Sequence, residues 1–213
     1  MKKIIVTQRM YKDFDTKENK DCLDVRLSEF LIESKLLPII APNSLSKFSK
    51  KKFTEYLNII KPEGLVLSGG EDFGVNKMRD LTEIKLLKYF VQKKKPIVGI
   101  CRGMLLISKF FGAKLYKISG HVRTRHKCKF LTKDKLFPKS INSYHNFSIK
   151  NCPKHFYVTI KSEDSSIEAI KHKKFNWEGW MWHPEREERY VLQDVKRLKK
   201  IFSTDKKTFH KGK

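Results

Sequence analysis

Residues 94–112, KKPIVGICRGMLLISKFFG, constrain the fold more than any other part of the chain. Residues 96–100 are a short apolar run rich in β-branched side chains, which predicts a buried strand. Residues 104–111 are apolar at most positions, as a buried helix is. Between them lies Gly99-Ile100-Cys101-Arg102-Gly103. Glycines on both sides of a nucleophilic residue at this spacing suit a sharp strand-to-helix turn, because a side chain at either place would collide with the turn. Cys101 would then stand at a helix N-terminus, where unpaired N–H groups and the positive end of the dipole favour thiolate over thiol. The backbone N–H of Arg102 would point toward an oxyanion formed beside the sulfur. The alternative is an ordinary buried cysteine after an α/β strand.

A chain of 213 residues has room for one sizeable core. We therefore expect a single domain over residues 1–203, with a polar, flexible tail at 204–213. No apolar run approaches the roughly 18 residues of a membrane span. Met1-Lys2-Lys3 leads straight into the strand-like Ile4-Ile5-Val6-Thr7, unlike a signal peptide. A soluble cytoplasmic protein with no membrane association is expected. Cys22, Cys101, Cys128 and Cys152 form no CxxC pair, which argues against a disulfide framework and a zinc ribbon. The net charge of +24 comes mostly from lysines spread along the whole chain. Such a pattern predicts a solvated surface, with no nucleic acid as partner, and a field that would attract a phosphorylated small substrate.

Strand and helix alternate through the first half. Strands are expected at 3–7, 37–41, 64–68 and 96–100. Helices are expected at 18–34, around Phe53, Leu57 and Ile60, at 79–92 and at 104–111. This alternation predicts a mostly parallel sheet with helices on both faces, of flavodoxin-like α/β class. After Gly112, strand-like pieces at 114–118, 127–131, 143–149, 157–161 and 167–170 predict an antiparallel extension, and residues 187–202 a closing amphipathic helix. Gly69-Gly70 ends the third strand and is either a plain tight turn or a place where the backbone approaches a ligand.

A thiolate nucleophile needs a base, and the base needs an orienting acid. Of the seven histidines, His183 in Trp182-His183-Pro184-Glu185 has the best surroundings. Pro184 disfavours helix at His183, and in an extended segment residues two apart face one side, which would let Glu185 reach the imidazole. The alternative is an exposed pair on a loop, with Glu185 a charge at a helix start.

Gly69-Gly70, Gly-Ile-Cys101-Arg-Gly and His183-Pro184-Glu185, in this order on an α/β chain, resemble the class I glutamine amidotransferase-like superfamily over nearly the whole length. The resemblance implies a catalytic triad of Cys101, His183 and Glu185 and an oxyanion hole on the backbones of Gly70 and Arg102. Within the superfamily the chain looks most like the γ-glutamyl hydrolase branch, and there like the bacterial γ-glutamyl-CDP-amidate hydrolases of capsule phosphoramidate synthesis. The segments carrying that match are Thr7-Gln8-Arg9, Asp21-Cys22-Leu23-Asp24, Arg79-Asp80, Cys101-Arg102-Gly103-Met104, His121-Val122 with His126, Asn142-Ser143-Tyr144-His145-Asn146 and His183-Pro184-Glu185-Arg186-Glu187. By resemblance, substrate contacts fall on Arg9, Gly69, Met104, His121, His126, Asn142, Ser143, Tyr144 and His145, the backbone of Ser143-Tyr144 meeting the glutamyl α-carboxylate.

Charge adds Arg102, Arg123 and Arg125 as groups for the phosphates of a nucleotide-linked small-molecule substrate. A solvated basic hairpin is the plainer reading of 121–126. One departure is Leu105, where the superfamily commonly has glutamine. It speaks against simple glutaminase action and against the alternative of a glutaminase subunit feeding ammonia to a partner synthase. A zinc site from His121, His126 and Cys128 would lack a fourth ligand in register. Neither a metal nor an organic cofactor is expected.

Overall fold

In the computed structural model, which describes residues 1–134 and 136–203, period-two burial in the strands divides the apolar side chains between two cores. On β1 (Lys2–Val6) Ile5 faces one core while Ile4 and Val6 face the other. A polar ribbon follows, β2 (Arg9–Lys12) paired antiparallel with β3 (Asn19–Cys22). Then come α1 (Val25–Glu33), β4 (Leu36–Ile40), α2 (Lys50–Ile60), β5 (Gly64–Leu67), α3 (Lys77–Gln92), β6 (Ile97–Ile100) and α4 (Arg102–Phe110). The second half holds β7 (Leu115–Lys117), β8 (Val122–Lys127), β9 (Lys129–Phe130), β10 (Ser140–Tyr144), β11 (Phe147–Ile149), β12 (Phe156–Lys161), β13 (Ile167–His172), β14 (Trp177–Trp180) and α5 (Leu192–Phe202).

The main sheet has the order β4-β1-β5-β6-β14-β13-β12-β9, parallel from β4 through β14 and antiparallel beyond. Phe53 and Leu57 of α2, Leu86, Leu87 and Phe90 of α3 and Leu105 of α4 fill the core on one face. Leu27, Phe30 and Leu31 of α1 with Val195, Leu198 and Ile201 of α5 fill the other. Helices thus cover both faces, as the alternation predicts. No helix among the described residues is long and apolar enough to cross a membrane.

Four expectations are corrected. The helix expected over 18–34 begins only at Val25, because the Asp24 side chain caps it by accepting from the Arg26 N–H and residues 19–22 pair with β2. Residues 114–149 do not extend the sheet as one piece: β7 pairs with β11 and β8 with β10 as separate ribbons, and β9 alone joins the main sheet. The closing helix starts at Leu192, after a single 3-10 turn at Pro184–Arg186. Finally, β14 lies beside β6 at the middle of the sheet and is absent from the expectations, since Trp177-Glu178-Gly179-Trp180 interrupts its apolar character with a charge and a glycine. The glycine is required there because a Cβ at Gly179 would come within 2.6 Å of Met104 Cγ. The tail at 204–213 lies outside the described residues.

Candidate active site

Three adjacent parallel strands end at the same edge. Leu67 of β5 is in register with Gly99 of β6, and Ile100 of β6 with Trp180 of β14. The segments that leave these strands, Gly69-Gly70, Cys101-Arg102 and Trp182-His183, therefore meet outside the carboxyl ends of the sheet, the usual place for a ligand in an open α/β fold.

Cys101 forms the whole turn between β6 and α4, with φ +50° and ψ −108°, a conformation that L-residues rarely adopt. Its N–H donates to Trp180 O at 2.6 Å and its carbonyl accepts from Leu105 N–H at 3.1 Å, which fixes both sides of the strained residue. A Cβ on Gly99 would sit 2.6 Å from Met104 N, and one on Gly103 would strike the Leu67 carbonyl. The elbow expected from the sequence is present, with both glycines needed for close packing. Burial pushes the Cys101 thiol up, but the charge of His183, then of His145, and the Arg102 N–H pull it below its ordinary value overall.

The His183 ring carries its Nδ1 2.6 Å from Glu185 Oε1, both side chains being buried. Glu185 reaches it from the 3-10 turn that starts at Pro184, not from an extended segment. Burial would lower the imidazole pKa, but the Cys101 thiolate and the Glu185 carboxylate overcome this and raise it to about 9. Proton and charge therefore favour a thiolate–imidazolium pair braced by Glu185. Asn142 holds the backbone of His183 from both sides, donating to its carbonyl at 2.8 Å and accepting from its N–H at 2.9 Å. The Tyr144 ring meets the His183 ring edge-on, centroids 5.8 Å apart.

Beneath Gly69-Gly70 lies a buried ionic lattice. The guanidinium of Arg79 donates to the carbonyls of Ser68 at 3.1 Å and Gly69 at 2.9 Å, to Glu71 at 2.7 Å and to Glu83 at 3.1 Å. Because a trans peptide sets its N–H opposite its C=O, fixing Gly69 O on Arg79 turns the Gly70 N–H away from that guanidinium. Gly70 itself has φ +145°, open to glycine. His183 lies over Gly69, where an added Cβ would come 2.5 Å from its Cε1. Arg9, half-buried, lines the same cleft with Ser68, Gly69, His183 and Glu185.

Several expected substrate contacts are placed elsewhere. The Arg102 side chain is buried and paired with Glu83 and Asp80, which removes its charge from any substrate phosphate while leaving its backbone N–H beside the sulfur. Met104 is fully buried and packs under Gly179, because the third residue after the elbow faces the sheet. His121 is 1% exposed with its Nε2 2.9 Å from Asp164 Oδ2, and the Ser143 hydroxyl donates to His121 O at 2.8 Å, so neither is a free surface donor. Half-buried His126 packs tilted against the His121 ring, centroids 4.2 Å apart, and reaches Thr124. Arg123 and Arg125 are exposed, and Arg125 pairs with Glu187 at 2.7 Å. The trio of His121, His126 and Cys128 is not assembled, and burial, then Glu168 and Asp194, push the Cys128 thiol up to about 12.

Two groups at the site escape sequence reasoning. Glu83 is an interior helix position with no outward sign of its role, and it joins Arg79, Arg102 and the Thr7 hydroxyl. Glu168 is a fully buried carboxylate on β13, and its one signal is an acid inside the apolar run Ile167-Glu168-Ala169-Ile170.

The sequence profile of the Glutamine amidotransferase class-I family matches residues 19–195. The chain is 32% identical to the gamma-glutamyl-CDP-amidate hydrolase of Campylobacter jejuni, over 93% of this chain and 96% of that one. It is 29% identical to the glutamine-hydrolyzing GMP synthase subunit of Pyrococcus abyssi, over 72% of this chain and 77% of the relative. Among solved structures, a Thermoplasma acidophilum chain assigned as a GMP synthase subunit superposes with a TM-score of 0.69 at 22% identity, covering 95% of this chain and 94% of the other. That likeness carries the fold.

Proposed function

Because this chain belongs to the glutamine amidotransferase class-I family and is a hydrolase of carbon–nitrogen amide bonds, we propose that Cys101, His183 and Glu185 hydrolyse a γ-glutamyl amide whose leaving group is a nucleoside diphosphoramidate. The observation that carries the reading is the pairing of a thiol held below its ordinary pKa with an imidazole held at about 9 and bonded to Glu185.

The Cys101 thiolate attacks the γ-carbonyl carbon, forming a C–S bond as the C=O electrons move to oxygen. The N–H groups of Arg102 and Gly70 receive that oxyanion. When the intermediate collapses, the C–N bond breaks and the proton on His183 goes to the departing nitrogen. His183, now neutral, takes a proton from water as it attacks the thioester, releasing glutamate and restoring the thiolate–imidazolium pair. Glu185 keeps the Nδ1 proton in place and offsets the imidazolium charge throughout.

The finer assignment, to γ-glutamyl-CDP-amidate in capsule phosphoramidate synthesis, is supported by the near full-length match to the Campylobacter enzyme. Leu105 also favours it: where the superfamily commonly places glutamine, a buried leucine lines a cavity of about 180 Å³ with Phe73, Phe147 and Lys109. Glutaminase action in the manner of a GMP synthase component is the second reading, favoured by the match to the Pyrococcus protein. The triad is tested by intact-mass measurement after acid quench. A γ-glutamyl adduct on the wild type that is missing from Cys101→Ala is expected, and an adduct on Cys101→Ala overturns the assignment of the nucleophile.

A further inference from the structure

His121, His145 and Glu168 converge in the interior, their ligand atoms all within 4.8 Å of one another. His121 Nδ1 lies 3.5 Å from Glu168 Oε1, and His145 Nε2 lies 3.7 Å from Glu168 Oε2. All three side chains are at most 2% exposed. Neither carboxylate oxygen of Glu168 has a hydrogen-bond partner among the described residues, nor does His145 Nε2. A buried carboxylate without a donor is costly, and the groups that face this one are the two imidazoles, at 3.5 and 3.7 Å. The spacing is too long for hydrogen bonds and close to what a tetrahedral ion needs, since two ligands each about 2.05 Å from zinc sit about 3.4 Å apart.

The far side of each ring is anchored as a metal-bound histidine usually is. His121 Nε2 meets Asp164 Oδ2 at 2.9 Å, and Asp164 is itself held by the Ser162 hydroxyl and the Ser166 N–H. His145 Nδ1 meets the Phe147 carbonyl at 2.9 Å. Both outer partners are acceptors for a ring N–H. In that tautomer the inner nitrogens, His121 Nδ1 at 3.4 Å from the Ser143 hydroxyl and His145 Nε2, face Glu168 with lone pairs. A cation there would displace the proton that, despite burial, Glu168 and Cys101 favour on His145. Two histidines and a carboxylate with one open position are a zinc-type donor set.

We infer that His121 Nδ1, His145 Nε2 and Glu168 bind one zinc-class divalent cation beside the Cys101 pocket. His121 precedes β8, His145 follows β10, and Glu168 belongs to β13. The ion therefore ties the separate β8–β10 ribbon, which carries Asn142 and Tyr144, to the main sheet. Its role is to hold that ribbon in place, and its presence does not depend on which amide is hydrolysed.

Tag-free, metal-depleted protein titrated with Co²⁺ tests this. The wild type should bind one equivalent with the intense visible d–d absorption of a tetrahedral ion and no sulfur-to-cobalt charge-transfer band. Zn²⁺ should displace it and raise Tm by several degrees. Cys101→Ser should behave the same, and Glu168→Gln should bind at least tenfold more weakly. Absence of stoichiometric binding to the wild type overturns the site, whether or not the variant folds. Binding lost in Cys101→Ser overturns it too, since the ion would then sit on the thiol, as does binding unchanged in Glu168→Gln.

Discussion

Asn142 grips His183 by both backbone groups, with its Nδ2 2.8 Å from His183 O and its Oδ1 2.9 Å from His183 N. The family resemblance places Asn142 against substrate, whereas this geometry makes it a positioning residue. Asn142→Ala should lower kcat by on the order of 100-fold, the scale of a misplaced catalytic group, with little change in KM. It should cost about 1–3 kcal/mol of stability through the buried backbone groups it leaves unpaired. Steady-state kinetics decide: a rise in KM at constant kcat would return Asn142 to substrate binding.

The opposite shifts of Cys101 and His183 set a pH window. Below the lowered Cys101 pKa the thiolate is protonated. Above about 9 the imidazolium loses its proton, and with it the acid needed by the leaving group. kcat/KM should therefore fall on both sides, with the alkaline limb near pH 9. In His183→Ala the largest offset to the burial of Cys101 is lost, and its alkylation by iodoacetamide should move to a higher pH midpoint than in the wild type. Identical midpoints would contradict the coupling.

Arg79 fixes the loop that presents the Gly70 N–H, donating at once to Ser68 O, Gly69 O, Glu71 and Glu83. A lysine ammonium cannot span that fork. Arg79→Lys should reduce kcat by roughly tenfold or more, as expected for a displaced oxyanion donor, while Cys101 alkylation at neutral pH keeps its wild-type rate. Slowed alkylation would show a general collapse of the site instead.

Asp194 is buried and its carboxyl is pushed up to about 7 by burial, against the pull of the Trp182 N–H. A carboxyl raised in the folded state binds more protons than in the unfolded chain, so stability falls as pH rises from about 4 to 7. Asp194→Asn keeps the acceptor for Trp182 without the charge. It should raise Tm at pH 8, and the gain should shrink as pH is lowered to 5. A gain independent of pH would rule out the charge as its cause.

Much of this geometry is legible in the sequence where a local rule and the tertiary demand agree. Gly99, Gly103 and the apolar run before Cys101 announce the elbow because sterics at one turn dictate all three, and β5 and β6 announce themselves as apolar runs buried on both faces. What escapes is set by distant partners. Residues 19–22 extend a plausible helical spacing, but they pair with β2. Trp177–Trp180 reads as irregular until Met104 is seen packing on Gly179. Arg102 reads as a phosphate ligand until Glu83 and Asp80, from a helix that precedes it by some twenty residues, are found holding it. Glu168 and His121 are separated by 47 positions, and only the fold brings them together.

The most direct test is the ratio of kcat/KM for glutamate release from γ-glutamyl-CDP-amidate and from glutamine, with Cys101→Ser as the blank. Binding energy from the remote nucleotide should be spent on the reacting centre, so the nucleotide substrate should be preferred by at least a hundredfold. Arg123→Ala/Arg125→Ala should raise KM for that substrate and leave slow glutamine hydrolysis unchanged. Equal kcat/KM for the two compounds would contradict the proposed substrate and leave the glutaminase reading in its place.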